Sequence, residues 1–452
     1  MSRLFGTDGV RGVANKELTP ELAFKLGRVG AFVLSEEAAH SPKIIVGCDT
    51  RISCDMLEAA LVSGICSVGA TALVCGVVPT PAIAHLVKKY GCDAGVVISA
   101  SHNPYEYNGI KFFSSLGHKL PDSTEDRIEE IIHGEEYTVP SPIGNGVGNR
   151  VLCEQALDDY VAFVESTVTT QLKGMKIAID CANGASFEAA PRLFERLGVE
   201  CHVINHQPNG VNINKDCGST HMERLCEIVK TGDFDLGIAF DGDADRMLAC
   251  DENGEMIDGD VIMAIVALDL KLQGKLKDDT IVVTVMSNIG LDVFARENGM
   301  KTVKTKVGDR YVLEKMLNEG YSIGGEQSGH IILLEHNTTG DGLLNAVQLL
   351  QVLKRSGKTI SENALIIQIY PQVLVNARVS NKKKYGYLEV PEIAEMCKAL
   401  ETEFHGEGRV LIRPSGTEPL VRVMIEGKDQ DFITLKATEL AKLIETKLME
   451  EK

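Results

Sequence analysis

The chain has 452 residues, 44% hydrophobic and 24% charged, with 12 cysteines, no tryptophan and a formal net charge of −18. That composition belongs to a globular protein of about three domains at roughly 150 residues each, and it excludes disordered, collagen-like and disulfide-stapled classes. The acidic excess repels nucleic acid and anionic membrane, so neither is expected as a partner, and the missing tryptophan removes the best platform for stacking on bases or sugar faces.

In chain order, the first polar segment is Phe5-Gly6-Thr7-Asp8-Gly9-Val10-Arg11-Gly12, which has the glycines of a phosphate cradle without the spacing of a P-loop. Then a rhythm sets in of short apolar run, polar corner and helical stretch, the pattern of α/β units with mostly parallel sheets. Central strands are predicted at 43–49, 94–100, 176–180, 236–241 and 280–285. Corners at strand C-termini are where open α/β sheets bind ligands. The uncharged stretch Ala59 to Ala84 is long enough to span a membrane, but Gly64, Gly69, Gly76, Pro79 and Pro81 break it. A buried parallel strand after a helix is expected there instead. Loops rich in Pro, Gly and Asn at 140–149 and near Asn253-Gly254 mark boundaries, and a third falls near Tyr370-Pro371. Beyond it the pattern shifts to strands at 372–379, 409–413 and 420–425 with helices from Pro391 and Asp431, an α+β module. The cysteines are scattered, without any CxxC, and no signal-peptide h-region opens the chain, so reduced thiols in a cytoplasmic protein are expected.

Several corners carry chemistry. Ser99-Ala100-Ser101-His102-Asn103-Pro104 closes the strand at 94–98 and presents a serine hydroxyl in a ligand crevice, although an ordinary Ser/Asn turn reads the same way. Asp241-Gly242-Asp243-Ala244-Asp245-Arg246 puts three carboxylates around one point, which suits Mg²⁺ or Ca²⁺. A solvated acidic loop or a phosphorylated Asp241 are the alternatives. An EF-hand fails because Arg246 stands where the loop needs glycine. Gly325-Glu326-Gln327-Ser328-Gly329-His330 is a tight turn able to bind sugar hydroxyls, or a hairpin turn facing water. Lys306-Val307-Gly308-Asp309-Arg310 reads as cations ahead of a helix or as routine capping. Arg413-Pro414-Ser415-Gly416-Thr417-Glu418-Pro419, with Arg422 beyond, offers hydroxyls, a backbone nest and two guanidiniums to one anion.

Taken in order, these segments resemble the α-D-phosphohexomutase family over nearly the full chain. The family's phosphoserine loop matches 99–104 with Ser101 modified, its metal loop 241–246, its sugar loop 325–330 and its phosphate loop 413–419. The N-terminal Phe-Gly-Thr-Asp-Gly-Val-Arg-Gly and Gln327 look most like the bacterial branch that acts on glucosamine phosphates. The resemblance implies three α/β domains with mixed, mostly parallel sheets (1–150, 151–254, 255–369) and a C-terminal α+β domain (370–452) around a central cleft. It implies that phosphorylated Ser101 donates to O1 of glucosamine 6-phosphate, and that the 1,6-bisphosphate returns its 6-phosphoryl group, leaving glucosamine 1-phosphate for UDP-N-acetylglucosamine and cell-wall precursors. Mg²⁺ would be held by Asp241, Asp243, Asp245 and a phosphoserine oxygen, with glucosamine or glucose 1,6-bisphosphate as activator. Three Asp, a phosphoserine near −2 and Mg²⁺ leave about −3, so Arg11, Lys111 and Arg246 are expected to complete the neutralisation. His330 or Lys111 is the expected acid or base, Glu326 and Ser328 bind the ring's O3/O4 edge, and Arg413, Ser415, Gly416, Thr417 and Arg422 grip the non-reacting phosphate. The resemblance also makes a homodimer reasonable. The competing readings are a mutase of glucose or mannose phosphates, a phosphatase using Asp241, and a Ca²⁺-binding protein.

Overall fold

Five Val/Ile/Ala-rich runs set the interior. The computed structural model describes residues 3–6, 8–36, 40–134, 139–381, 383–415 and 418–448. They form two compact units, one of Met1–Met286 with Val303–Ala364, the other of Ser287–Thr302 with Leu365–Lys452.

The first unit carries three sheets. The first contains β1 (Val10–Val13), β2 (Lys43–Cys48), β3 (Thr71–Val77), β4 (Ala94–Ile98), β5 (Tyr107–Ser114) and β6 (Arg150–Leu152) in the order β1-β5-β4-β2-β3-β6. The second contains β7 (Lys176–Asp180), β8 (Glu200–Ile204), β9 (Leu236–Phe240), β10 (Met247–Cys250) and β11 (Met256–Ile257) in the order β11-β10-β9-β7-β8. The third is β13-β12-β14-β15, with β12 (Thr280–Thr284), β13 (Lys301–Thr305), β14 (Ile323–Gly325) and β15 (Ile331–Leu333). The strands β4, β9 and β12 are buried throughout, as parallel strands covered on both faces must be. The stretch Ala59 to Ala84 resolves into the end of helix Cys54–Cys66, the parallel strand β3 and the start of helix Thr80–Lys89. Among the described residues no helix is long and apolar enough to cross a membrane.

The sheets are mixed, and the antiparallel pairings fall where the chemistry does. A parallel return needs a crossover of about a dozen residues or more. Only eight residues separate β4 from β5, six separate β9 from β10 and five separate β14 from β15. Each of these corners therefore closes as an antiparallel hairpin instead of leading into a helix, which corrects the simple strand-corner-helix expectation.

Outside the first sheet, helices Pro20–Leu34 and Cys54–Cys66 meet backbone to backbone: a Cβ on Gly27 would lie 2.2 Å from the Leu61 carbonyl oxygen, and one on Gly64 2.2 Å from that of Phe24. Neither neighbour is a flexible side chain that can yield. Gly64→Ala is expected to destabilise the protein by about 1–3 kcal/mol through overpacking. The check is a lower midpoint in thermal unfolding, and an unchanged midpoint would show that the helices separate freely.

In the second unit β16 (Gln372–Arg378), β17 (Gly408–Pro414) and β18 (Leu420–Gly427) form an antiparallel sheet in the order β16-β18-β17. Helices Pro391–Glu403 and Gln430–Leu448 cover it through Ile393, Leu400, Ile433, Leu440 and Ile444. Helix Ile289–Glu297 packs in this unit, through Ile289 and Val293 against Tyr370.

Candidate active site

Ser101 follows β4 in the corner toward β5, with φ of +53° and 1% of its surface exposed. A non-glycine residue in this left-handed region costs of order 1 kcal/mol or more and persists only where its surroundings enforce it. Its Oγ donates to Asp241 Oδ2 at 2.6 Å. Its backbone N–H donates to Ser99 Oγ at 3.0 Å, and Ser99 Oγ in turn donates to Asp49 Oδ2 at 2.6 Å. His102 Nδ1 is 3.4 Å from the Ser101 hydroxyl. Burial, with Arg246 and Arg11 nearby, pushes His102 down to about 4, so its imidazole is neutral at pH 7.

Asp241, Asp243 and Asp245 occupy the β9–β10 hairpin turn, all buried, each with an oxygen within 4.8 Å of the others. Asp243 Oδ1 and Asp245 Oδ1 are buried without a hydrogen-bond partner. Buried carboxylate oxygens left unmatched beside a third carboxylate are the donor set of a hard divalent cation, so the residues fit Mg²⁺. Burial and the charges of Asp245 and Asp243 hold Asp241 well above the usual carboxylate range. Burial acts the same way on Asp245, but His330, Lys111 and Arg246 outweigh it and hold that carboxyl below its usual range. The hairpin also disposes of the EF-hand, since Glu252 is engaged with Ser361 instead.

A cavity of about 530 Å³ opens beside this turn, lined by Asp8, Arg11, His102, Lys119, Asp245, Arg246, Asp309, Glu326 and His330, among others. Lys111, on β5, lies buried with Nζ 2.7 Å from Asp243, 3.0 Å from Asp8 and 3.9 Å from Asp245. Burial alone would lower its pKa, yet these carboxylates hold it above the ordinary lysine value. Arg11 Nε and Arg246 Nε are buried and lack hydrogen-bond partners, two guanidinium donors of the kind an anionic ligand uses. The 326–330 segment is a hairpin turn, but its polar groups do not all face water. His330 is buried, Ser328 Oγ is buried without a partner, and Glu326 Oε1 accepts the Gly308 N–H at 3.1 Å. The Gly340 N–H points at His330 Nε2 at 3.0 Å, Asp309 Oδ2 lies 3.3 Å from the same nitrogen, and Nδ1 is 3.5 Å from Asp245 Oδ2; burial would lower the pKa of the ring, yet the two carboxylates hold it above the ordinary histidine value.

In the second unit, Arg413 and Arg422 are register partners across β17 and β18. Arg422 also pairs with Glu418 at 3.4 Å. Ser415 N–H donates to the Leu420 carbonyl, and Lys384 Nζ donates to the Ser415 carbonyl at 2.6 Å. Gly416 and Thr417 lie outside the described residues.

The structure thus brings Ser101, the three aspartates, Arg11, Lys111, Arg246, Glu326 and His330 to one region, and sets Arg413 and Arg422 side by side on the sheet of the second unit, with Ser415 just beyond β17. It adds residues that the motifs did not name. Lys119 bridges Asp8 and Asp309, linking the N-terminal Gly-rich segment to the first turn of helix Asp309–Glu319. The Asp309 carboxylate is therefore not a routine cap. Asp8 and Asp309 sit in segments that stood out as glycine-rich and charged, whereas nothing local distinguishes Lys119.

The chain is similar to known proteins along nearly its whole length. The four domain profiles of one family match in order: phosphoglucomutase/phosphomannomutase alpha/beta/alpha domain I over residues 2–138, domain II over 158–254, domain III over 258–370 and the C-terminal domain over 374–443. The phosphoglucosamine mutase of Ruminiclostridium cellulolyticum is 64% identical over 448 residues, covering 99% of this chain and 100% of that one. That of Clostridium acetobutylicum is 61% identical over 447 residues, with 99% and 100% covered. Among solved structures, a phosphoglucomutase/phosphomannomutase family protein from Burkholderia thailandensis superposes with a TM-score of 0.82 at 22% identity, over 99% of this chain and 98% of that one. The Aspergillus fumigatus N-acetylphosphoglucosamine mutase in complex with GlcNAc-6P and magnesium shares the fold at a TM-score of 0.70 and 16% identity, over 98% and 95% of the chains. The chain belongs to the phosphoglucomutase/phosphomannomutase family, the α-D-phosphohexomutases.

Proposed function

We propose that this chain interconverts glucosamine 6-phosphate and glucosamine 1-phosphate, with Ser101 as the phosphoryl carrier. Full-length relatives at 64% and 61% identity bear the name phosphoglucosamine mutase, which supports the substrate class. The observation that carries the chemistry is the buried Ser101 hydroxyl, 2.6 Å from Asp241 in a turn whose neighbouring carboxylate oxygens lack partners.

In the forward direction the bond between Ser101 Oγ and phosphorus breaks as one forms to O1 of glucosamine 6-phosphate, and the proton that O1 loses is balanced by one gained at Ser101 Oγ. The resulting 1,6-bisphosphate turns over in the site. The bond between O6 and phosphorus then breaks as one forms to Ser101 Oγ, O6 gains a proton as Oγ loses one, and glucosamine 1-phosphate is the product. Asp241, Asp243, Asp245 and a phosphoserine oxygen would hold Mg²⁺, which when bound would supply positive charge to the phosphoryl oxygens. Lys111, kept protonated by Asp243, Asp8 and Asp245, is a fixed cation that can also hand a proton to a departing oxygen. Arg11 and Arg246 offer their unmatched N–H groups to the anion, and Glu326 and Ser328 take sugar hydroxyls. His330 orients Asp245 through Nδ1, its other ring nitrogen lying between the Gly340 N–H and Asp309. Arg413, Ser415, Gly416, Thr417 and Arg422 bind the phosphate that is not reacting.

The test is a panel of glucosamine, glucose and mannose 6-phosphates with Mg²⁺ and catalytic glucose 1,6-bisphosphate. Glucosamine 6-phosphate is expected to turn over fastest, EDTA to stop turnover and Mg²⁺ to restore it. Faster turnover of mannose or glucose 6-phosphate would overturn the substrate assignment, and turnover that survives EDTA would overturn the role of the triad.

A further inference from the structure

The strained corner at Ser101 is held from two sides by side chains that no motif above includes. Arg51 lies just beyond β2 in the first sheet, its side chain 0% exposed, with Nε 2.9 Å from Asp49 Oδ2. Its Nη2 donates to the carbonyl oxygens of Ser101 at 2.9 Å and Asn103 at 2.8 Å, and its Nη1 donates to that of Pro104. Asn214 lies beyond β8 of the second sheet, and its own N–H is tied to the Ala182 carbonyl at 2.9 Å. Its Nδ2 donates to the same two carbonyls, Ser101 at 2.8 Å and Asn103 at 3.0 Å.

Two planar donor groups, one from each sheet, thus converge on one pair of carbonyls. Capture of the Ser101 carbonyl fixes the peptide plane that follows its Cα. On the N-terminal side, the Ser101 N–H is fixed by Ser99 Oγ, and Ser99 hangs from Asp49, the carboxylate that also holds Arg51. With both flanking planes pinned and φ at +53°, the Cα–Cβ bond has one direction, and it places Oγ on Asp241. The metal loop leans on the same atom: a Cβ on Gly242 would come within 2.5 Å of the Ser101 carbonyl oxygen.

We infer that Arg51 and Asn214 are positioning residues for phosphoryl transfer, a two-sided clamp that aims the Ser101 oxygen by holding its carbonyl corner across the seam between the first two sheets. The inference rests on Ser101 being the phosphoryl carrier. Removal of Asn214 leaves Arg51 on both carbonyls, so the corner stays folded while its peptide plane gains freedom. Loss of aim slows every transfer through Ser101 and leaves ground-state binding of the sugar intact, because neither residue lines the cavity where Arg11, Arg246 and Glu326 stand.

The experiment compares the parent protein with Asn214→Ala and with Arg51→Lys, which keeps the charge opposite Asp49 but loses the planar fork. Four quantities are read: kcat, KM for glucosamine 6-phosphate, the single-turnover rate at which glucose 1,6-bisphosphate adds a phosphoryl group to Ser101 by intact-protein mass, and the unfolding midpoint. Both variants are expected to lose about tenfold or more in kcat and in the single-turnover rate, with KM within about twofold and the Asn214→Ala midpoint unchanged. A raised KM with parental kcat, or a kcat loss matched by a lowered midpoint in both variants, would overturn the clamp. A parent that never gains a phosphoryl mass on Ser101 defeats the carrier assignment and the clamp with it. A phosphorylated parent whose variants transfer at the parental rate defeats the clamp alone.

Discussion

Ser101→Ala is expected to abolish mutase turnover, a loss of at least about three orders of magnitude, because no other group can take over the covalent step. The hydroxyl two residues before it, Ser99, is 0% exposed and committed to Asp49, so it cannot carry phosphate in its place. Incubated with glucose 1,6-bisphosphate, the parent should gain one phosphoryl mass and the variant none. Folding should survive. The substitution removes the hydrogen bond to Asp241, worth about 1 kcal/mol in a typical case, and the long contact with His102, and leaves a methyl group in a pocket that already accepts the Cβ. The lost donor matters more to Asp241. Burial and its two neighbouring aspartates already disfavour its charged form, and Ser101 is one of the groups that favour it. If Ser101→Ala still gains phosphate, with the label on Asp241, the serine is a bystander and the enzyme transfers phosphate through an aspartyl intermediate.

The loops that carry chemistry were legible in the sequence because each concentrates unusual residue types at the end of an apolar run. Three aspartates at alternate positions after Leu-Gly-Ile-Ala-Phe, or Ser-Ala-Ser-His-Asn-Pro after Ala-Gly-Val-Val-Ile, announce themselves locally. The hairpins behind those loops were less visible. Whether β5 or β10 returns antiparallel depends on the length of the corner, and their residues alone read equally well as buried strands of either direction. Residues whose importance is purely relational were invisible. Lys119 stands between Asp8 and Asp309, 111 and 190 residues away in sequence, and Asn214 meets a corner 113 residues before it. No window of sequence contains both ends of such a contact. Arg51 is the intermediate case, since it lies in the polar corner Asp49-Thr50-Arg51 after β2, a place the α/β rhythm marks without saying what it holds.

The whole-molecule charge of −18 poses a problem for an enzyme of doubly anionic sugars, and Lys111 shows how the site answers it. Its ammonium lies 1% exposed between Asp8, Asp243 and Asp245, on β5 within the sheet that also presents Arg11. Lys111→Met keeps the stem and removes the charge. Breaking a buried ion pair from one side costs about 3–5 kcal/mol, because the partner is left uncompensated. The apo protein in EDTA is therefore expected to melt at a clearly lower temperature than the parent. Mg²⁺ should restore more stability to the variant than to the parent, since a triad that has lost its lysine binds a dication more tightly and ligand binding stabilises by mass action. The pH dependence follows from the direction of the shift. A lysine whose folded pKa lies above its unfolded value contributes fully below the unfolded value, near 10.4, and loses that contribution only as pH rises through the folded one. The stability deficit of Lys111→Met should thus stay level from about pH 6 to pH 9. Activity should behave in the opposite sense to metal affinity: half-saturating Mg²⁺ falls while kcat drops by about two orders of magnitude or more, because in the proposed mechanism a tighter-bound metal would not replace the cation or the proton that Lys111 presents to the transferring group. A variant with parental kcat and unchanged Mg²⁺ dependence would mean that Lys111 only fills space, and the charge balance of the site would then have to rest on Arg11, Arg246 and Lys119 alone.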